Sequence, residues 1–167
     1  MRAAVLTLIA ICFLAPGQGR AEGAPIDARN DRLQRQHGQY FFDGTAFAGE
    51  MATHRADGSL KSLIAYQNGK RHGEARGWWP NGQLRYLRNY EYGLAEGDAL
   101  EWYDSGQLRY RQKFTNGHEN GLQQGWHEDG SPAFVYAYMD GRRYGVLGSK
   151  PCYSTNPEAE VYFNENL

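Results

Sequence analysis

Three tryptophans stand 24 residues apart in this sequence, and cationic side chains are interleaved with them. The tryptophans are Trp78, Trp102 and Trp126, and the cations are Lys61, Arg85 and Arg109. Tryptophan and arginine are enriched among the residues that dominate the binding energy of protein interfaces. We therefore predict that these side chains form a surface that binds a partner. The alternative is that each arginine covers a neighbouring tryptophan by cation–π contact and packing, with no partner involved.

Patterns that would support catalysis or metal binding are missing from the sequence. The five histidines form no HExxH pair, and His54 and His127 occupy repeat positions that otherwise hold Trp or Tyr. We interpret these two histidines as packing residues. No GxSxG motif occurs, and the glycines are spaced for turns rather than for a phosphate-binding loop. We therefore expect no enzyme active site, no metal and no cofactor.

The glycines indicate what positions these side chains, because they follow the same 24-residue period. Thirteen of the 21 glycines, all between Gly49 and Gly145, fall into three series in which neighbouring glycines are 24 residues apart, and we call each series a track. A period of this length signals a stack of copies of one supersecondary unit. One of the tracks supplies the predicted turn glycines Gly58, Gly82, Gly106 and Gly130.

Each glycine of that track follows Asp, Asn or Ser and lies between short aromatic and apolar runs. Asn-Gly and Asp-Gly favour a two-residue hairpin turn in which both central residues have positive φ. An alternating run such as 84–90 follows the turn, and a looser link such as 68–73 leads into the next unit. The predicted fold class is all-β. It is an antiparallel meander of about four 24-residue β-hairpin repeats with irregular terminal caps.

The turn also predicts which side chains share a face of the sheet. With a two-residue loop at Asn81-Gly82, Trp79 lies opposite Leu84, and Trp78 lies opposite Arg85. The next repeat places Trp102 opposite Arg109 in the same way. We expect the face with leucine and tyrosine to be the better buried one, and the tryptophan face to be the recognition surface.

Two segments carry a recognisable repeat pattern, YQNGKRHGEARGWWPNGQLRY and EWYDSGQLRYRQKFTNGHENG. The pattern is an aromatic residue, Asn-Gly, a few polar residues, Gly, then Trp or Tyr, and Asp/Asn-Gly with Leu. It resembles the bacterial MORN-repeat variant, which occurs in proteins labelled YwqK-type antitoxins. The resemblance implies a β-repeat scaffold, and the label implies a neutralising role. Scaffolds of this kind serve several unrelated functions.

The first 21 residues have the features of a secretory signal peptide. Arg2 provides a positive charge, residues 3–14 are apolar apart from one Thr, and Gly19 and Ala21 are the small residues before the cleavage site. We expect cleavage after Ala21 and an exported protein, either periplasmic or secreted.

Four segments follow along the chain: a signal peptide, a polar tether or short helix, a MORN-like β-repeat domain, and a tail. Their predicted bounds are 1–21, 22–38, 39–148 and 149–167. Residues 40–49 resemble the end of a repeat with one extra residue between its glycines, as is usual for a capping unit.

The charge of the mature chain argues against nucleic acid and anionic membranes as partners. Removal of Arg2 and Arg20 leaves 16 basic residues against 19 acidic ones, so the net charge is −3. Such a chain has no overall field that attracts polyanions. After the signal peptide, no apolar run is long enough to span a bilayer.

Cys152 is the one cysteine that remains after removal of the signal peptide. An unpaired cysteine in an exported protein forms an intermolecular disulfide, acts as a reactive or metal-binding thiol, or is a small buried apolar residue. The first of these alternatives predicts a disulfide-linked dimer through Cys152.

The sequence thus predicts an exported, non-enzymatic repeat scaffold that binds another macromolecule, with a protein as the expected partner. One alternative is an immunity or antitoxin protein that neutralises a toxin. Another is a module that binds a cell-wall glycan through the tryptophans.

Overall fold

The computed structural model describes residues 23–139, 141–147 and 150–152. The predicted signal peptide, residues 1–21, and most of the predicted tail, residues 149–167, lie outside the described residues. Those two assignments therefore stay predictions.

Within the described residues the chain forms fifteen β-strands and no helix. The strands are β1 (Ile26–Asp27), β2 (Leu33–Gln36), β3 (Gln39–Phe42), β4 (Thr45–Ala46), β5 (Gly49–His54), β6 (Leu60–Gln67), β7 (Lys70–Trp78), β8 (Leu84–Glu91), β9 (Leu94–Trp102), β10 (Leu108–Thr115), β11 (His118–Glu119), β12 (Gly121–Trp126), β13 (Pro132–Met139), β14 (Arg142–Leu147) and β15 (Lys150–Cys152).

One large sheet contains twelve of these strands. Its order is β1-β5-β6-β7-β8-β9-β10-β12-β13-β14-β15, and β11 pairs with β10 beside this path. All its pairings are antiparallel except that of β1 with β5. Strands β2, β3 and β4 form a separate three-stranded sheet. The predicted all-β meander of hairpin repeats is confirmed.

Two kinds of turn alternate along the meander, and the sequence assigned them the wrong way round. The two-residue turn lies at Asn68-Gly69, where the flanking residues Gln67 and Lys70 pair directly. Asn68 and Gly69 have φ values of 50° and 74°, as a type I′ turn requires. The same turn recurs at positions 92–93 and 116–117. The segment predicted as a looser link therefore contains the tight turn.

At the predicted tight turns the loop is one residue longer. Trp79 N–H donates to the Gln83 carbonyl at 2.8 Å, so three residues are enclosed, and of these only Gly82 has a positive φ. The Asn81 side chain accepts a hydrogen bond from Gln83 N–H at 3.1 Å. This side-chain bond stabilises an Asx-turn at Asn81, and in this turn Gly82 has a positive φ whereas Asn81 does not. Asp57 and Asp129 do the same at their turns.

The longer loop changes the strand register beside it. Trp78 pairs with Leu84, Gly77 pairs with Tyr86, and Arg85 is the extra residue of a β-bulge. The predicted pairs, Trp79 with Leu84 and Trp78 with Arg85, are therefore wrong. The cause is the single residue added to the turn.

Few side chains are buried in the described part of the chain. They are Phe47, Met51, Ala52, Ala75, Ala99, Gln123, Tyr136 and Ala137. Most other described side chains are partly or fully exposed. The large sheet therefore has a small core, and the hydrogen bonds of its backbone contribute much of what holds it together.

The N-terminal end of the large sheet is covered by the small sheet. Tyr40 N–H donates to the Gly69 carbonyl at 2.9 Å, and Gly69 N–H donates to the Phe47 carbonyl at 2.8 Å. The Tyr66 ring lies 5.3 Å from that of Tyr40 and 5.7 Å from that of Phe47. This docking forms the irregular N-terminal cap.

Part of the segment predicted as a tether, residues 22–38, belongs to this cap region. It supplies β2, in which Leu33 pairs with Phe42, and β1, in which Ile26 pairs with Met51. The strands are only four and two residues long, too short to show a period in the sequence. At the other end, β15 extends the sheet beyond residue 148.

The glycines of the three two-residue turns bind the preceding unit. Gly69 N–H donates to the Phe47 carbonyl, and the same bond joins Gly93 to Arg71 and Gly117 to Ala95, each at 2.8 Å. The acceptors are spaced by 24 residues, as the donors are. We call these three bonds the turn-edge ladder.

Replacement of Gly69 by alanine is expected to destabilise the protein more than replacement of Gly44. The φ values are almost the same, +74° and +75°, so both variants suffer the cost of a left-handed alanine, about 1–2 kcal/mol. A Cβ at Gly69 would lie 2.6 Å from the Tyr40 carbonyl oxygen, whereas a Cβ at Gly44 meets nothing within 4 Å. Urea unfolding should show at least about 1 kcal/mol of additional loss for Gly69→Ala. Equal losses would contradict the docking of the cap on this turn.

Candidate binding surface

Trp78, Trp102 and Trp126 form a row across one end of the large sheet; we call it the tryptophan row. They are the last residues of β7, β9 and β12, which alternate with other strands, so neighbouring tryptophans are roughly 10 Å apart. All three side chains are half-buried. The structure thus brings the three predicted tryptophans together in one line.

The cross-strand partners of the row are apolar. Trp78 pairs with Leu84, Trp102 with Leu108, and Trp126 with Pro132. Partners directly opposite each other share a face of the sheet, so the two leucines lie on the tryptophan side. The prediction that Leu84 lies with Tyr86 on the other face is wrong, because the bulge falls between them.

The two predicted arginines contact other aromatic rings than those of the row. The Arg85 guanidinium lies over the Trp79 ring, 4.7 Å from its centroid, and Arg109 lies over Tyr103 and Tyr110 at 5.4 and 4.7 Å. Lys61 is exposed. The expected opposition of Trp102 and Arg109 is therefore wrong, although an arginine does cover an indole ring at Trp79.

A second set of hydrogen bonds fixes the backbone of the row. Trp79 Nε1–H donates to the Trp102 carbonyl at 3.0 Å, and the Tyr103 hydroxyl donates to the Trp126 carbonyl at 3.1 Å. The Arg55 guanidinium donates to the Trp78 carbonyl in the same way. We call these bonds the side-chain ladder. Sequence reasoning missed it, although Arg55, Trp79 and Tyr103 form a 24-residue column of long side chains with N–H or O–H donors.

The opposite face carries Tyr86, Tyr110, Phe134 and Tyr136, and we call it the tyrosine face. Two of its rings lie across glycines of the neighbouring strand. A Cβ built at Gly77 would be 2.2 Å from Tyr86 Cε1, and one at Gly125 would be 2.3 Å from Phe134 Cε1. A side chain at either glycine would displace the ring that covers it.

Glu101 interrupts this arrangement in the middle repeat, because it occupies the position of Gly77 and Gly125. Its carboxylate accepts hydrogen bonds from Arg88 at 3.1 Å and from Arg109 at 3.3 Å. Only 16% of the Glu101 side chain is exposed, against 39% and 36% for the two arginines. The cluster carries one net positive charge. Its ion pairs take the place of the contact that an aromatic ring makes with the glycine in the other two repeats, which we call the ring-on-glycine contact.

The Tyr136 hydroxyl on this face acts as a hydrogen-bond donor. Burial, together with the nearby Glu119 carboxylate, raises the pKa of Tyr136 to about 12. Its hydroxyl lies 3.2 and 3.3 Å from the two Glu119 carboxylate oxygens. Burial also raises the pKa of Tyr86. Both groups therefore stay protonated at neutral pH, which suits them to binding rather than to proton abstraction.

The histidines and the cysteine singled out in the sequence belong to different strands and turns. His54 Nδ1 lies 2.7 Å from an Asp27 carboxylate oxygen and helps hold β1 on β5. Across the part of the chain that the structure describes, no group of three His, Cys, Asp or Glu residues could hold a metal ion. Cys152 ends β15 and pairs through its backbone with Gly145. The role of its thiol stays a prediction.

Two adjacent units of the chain match a known family. Residues 71–92 and 95–116 each match the MORN repeat variant, and they correspond to the hairpins β7–β8 and β9–β10. These units are MORN-type repeats, as their residues suggested. No curated protein matches the chain. The described residues contain no helix that is long and apolar enough to cross a membrane.

Replacement of Glu101 by glutamine is expected to lower the free energy of unfolding by about 1 kcal/mol. The change leaves two half-buried guanidinium groups without their shared carboxylate, and the partial exposure of the arginines limits the loss. Asp98→Asn in the same strand is the matched control, because Asp98 and Arg111 are both more than half exposed and 3.9 Å apart. Its effect in urea unfolding should be within about 0.5 kcal/mol. A loss as large as that of Glu101→Gln would contradict the role given to burial.

Proposed function

We propose that this protein is an exported, non-catalytic repeat scaffold that binds another protein through the tryptophan row. Two adjacent MORN-type repeats support the scaffold part of the proposal. Export is inferred from the signal-peptide features of residues 1–21. The partner's class is argued from the surface itself.

The observation that carries the proposal is a row of large aromatic side chains on a sheet that buries few side chains. Trp78, Trp102 and Trp126 remain half-buried. A partner that covers the row would bury indole surface at about 25 cal/mol per Å². Since the rings keep part of their surface exposed, this face can contact a partner.

The surroundings of the row favour a protein partner. Leu84 and Leu108 extend its apolar area. Large aromatic and apolar side chains are typical of the centre of a protein interface. The side-chain ladder holds the backbone of the row, which lowers the entropy lost on binding.

A glycan-binding module is the rival that the same tryptophans suggest. Sugars stack on exposed ring faces, whereas the three rings of the row are half-buried and pair with Leu84, Leu108 and Pro132. This partial burial weighs against a continuous sugar-stacking platform. The immunity or antitoxin role is a narrower form of the protein-binding proposal, in which the partner is a toxin.

Trp102→Ala is expected to weaken capture of the native protein partner at least tenfold, about 1.4 kcal/mol. Its backbone carbonyl still accepts the Trp79 hydrogen bond, so the thermal melting of the variant should stay cooperative. The control is Lys113→Ala, an exposed position on β10 away from the row. Purified wild type and both variants would be immobilised, and the captured envelope proteins quantified.

Undiminished capture by a folded Trp102→Ala variant would overturn the proposal. So would Trp102-dependent retention of cell-wall polysaccharide without any protein, because that result identifies the glycan-binding module. Loss of capture by Lys113→Ala as well would show a general effect of substitution rather than recognition by the row.

A further inference from the structure

A cleft of about 540 Å³ lies where the small N-terminal sheet meets the turn edge of the large sheet. Its walls come from the β2–β3 hairpin, from β6 and from the tight turns that follow β6 and β8. This volume lies within the range of ligand-binding clefts. The cleft is far along the strands from the tryptophan row, at their opposite ends.

The charged lining of the cleft is entirely basic or imidazole. It comprises Arg35, His37, Lys70 and Arg71, and none of the described Asp or Glu residues lines the cleft. Arg35 and Arg71 lie over the rings of Tyr40 and Tyr90, at 5.8 and 4.2 Å. Elsewhere in the protein, arginines such as Arg76 and Arg88 bind a carboxylate instead. The cations of the cleft therefore keep N–H donors for a ligand.

Five aromatic and apolar side chains also line the cleft: Tyr40, Ile64, Tyr66, Tyr92 and Leu94. Tyr40 and Tyr66 meet edge-to-face at 5.3 Å, and burial raises the pKa of Tyr66, which keeps it neutral. Tyr92 and Leu94 are 68% and 50% exposed, among the most exposed large apolar side chains described. A small inorganic anion would leave both of these side chains in water.

The cleft is preorganised by backbone hydrogen bonds between its walls. Tyr40 N–H donates to the Gly69 carbonyl at 2.9 Å, and Gly93 N–H donates to the Arg71 carbonyl at 2.8 Å. These bonds tie the small sheet and the two turns together, so little ordering is needed when a ligand binds.

We propose that this cleft binds an acidic polypeptide segment. Its carboxylates would pair with Arg35, Lys70 and Arg71, and an apolar side chain of the segment would pack on Tyr92 and Leu94. Guanidinium groups pair with carboxylates through two parallel hydrogen bonds, which gives both affinity and orientation. The site is separate from the tryptophan row, so either proposal can fail without the other.

The test is a fluorescence anisotropy titration of the purified protein with a labelled peptide of alternating Glu-Glu-Leu units. The matched probe has Gln in place of every Glu. We expect binding of the Glu peptide, no measurable binding of the Gln peptide, and a loss of affinity as NaCl rises from about 0.05 M to about 0.5 M. Equal binding of the two peptides would overturn the proposal.

The double variant Lys70→Gln/Arg71→Gln is expected to weaken binding of the Glu peptide at least tenfold. Arg111→Gln/Lys113→Gln is its control, because it removes the same charge from two exposed positions of the large sheet. The control should change the affinity less than twofold, and a comparable loss in both would show attraction by overall charge alone. If Lys70→Gln/Arg71→Gln fails to fold, Arg35→Gln in the small sheet is the variant that tests the site. We expect this variant to bind the Glu peptide at least threefold more weakly. Unchanged affinity would overturn the site. Tighter binding of a polyuronate than of the Glu peptide, lost in the same variants, would also overturn it.

Discussion

A hydrogen bond from a turn glycine to the preceding unit is the contact on which the rest of the structure depends. It joins Gly69 to Phe47, Gly93 to Arg71 and Gly117 to Ala95, each at 2.8 Å. The donor turn has positive φ at both residues, and the tightly packed example at Gly69 has no room for a Cβ. The side-chain ladder ties the opposite end of the strands. Since few side chains are buried, these two ladders stabilise the stack, and an inserted residue would break both. The strict 24-residue period is the consequence.

This mode of stabilisation leaves the side chains of the sheet available for other purposes. The tryptophan row can stay half-buried because burial of its rings is not what holds the strands together. The same freedom allows the tyrosine face to differ between repeats. Glu101 stands where Gly77 and Gly125 stand, and its ion pairs with Arg88 and Arg109 replace a ring-on-glycine contact. Variation on a fixed backbone repeat is how such a scaffold acquires a specific surface.

The period, the all-β class and the repeat family were predictable, because glycine spacing records backbone geometry directly. The turn types were not. Asn-Gly occurs in both, at Asn68-Gly69 and Asn81-Gly82, so the dipeptide alone does not select the turn type, and in the longer loop the Asn81 side chain accepts a bond from the residue two positions on. Because of that one-residue difference, the cross-strand partners predicted for Leu84 and Arg109 were also wrong. The basic cleft could not be predicted from the sequence. Arg35 and Arg71 line the same cleft only because the short, aperiodic strand β2 is held beside the large sheet as part of the cap.

Amide hydrogen exchange measures the turn-edge ladder most directly. Glycine amides at exposed loop tips normally exchange through local opening, whereas amides bonded between repeats exchange only when the repeats separate. The amides of Gly69, Gly93 and Gly117 should exchange at the slow rate of the central strands. Gly58 N–H, which bonds only within its own turn to the Arg55 carbonyl, should exchange much faster. Fast exchange at all four glycines would contradict the central role of the ladder.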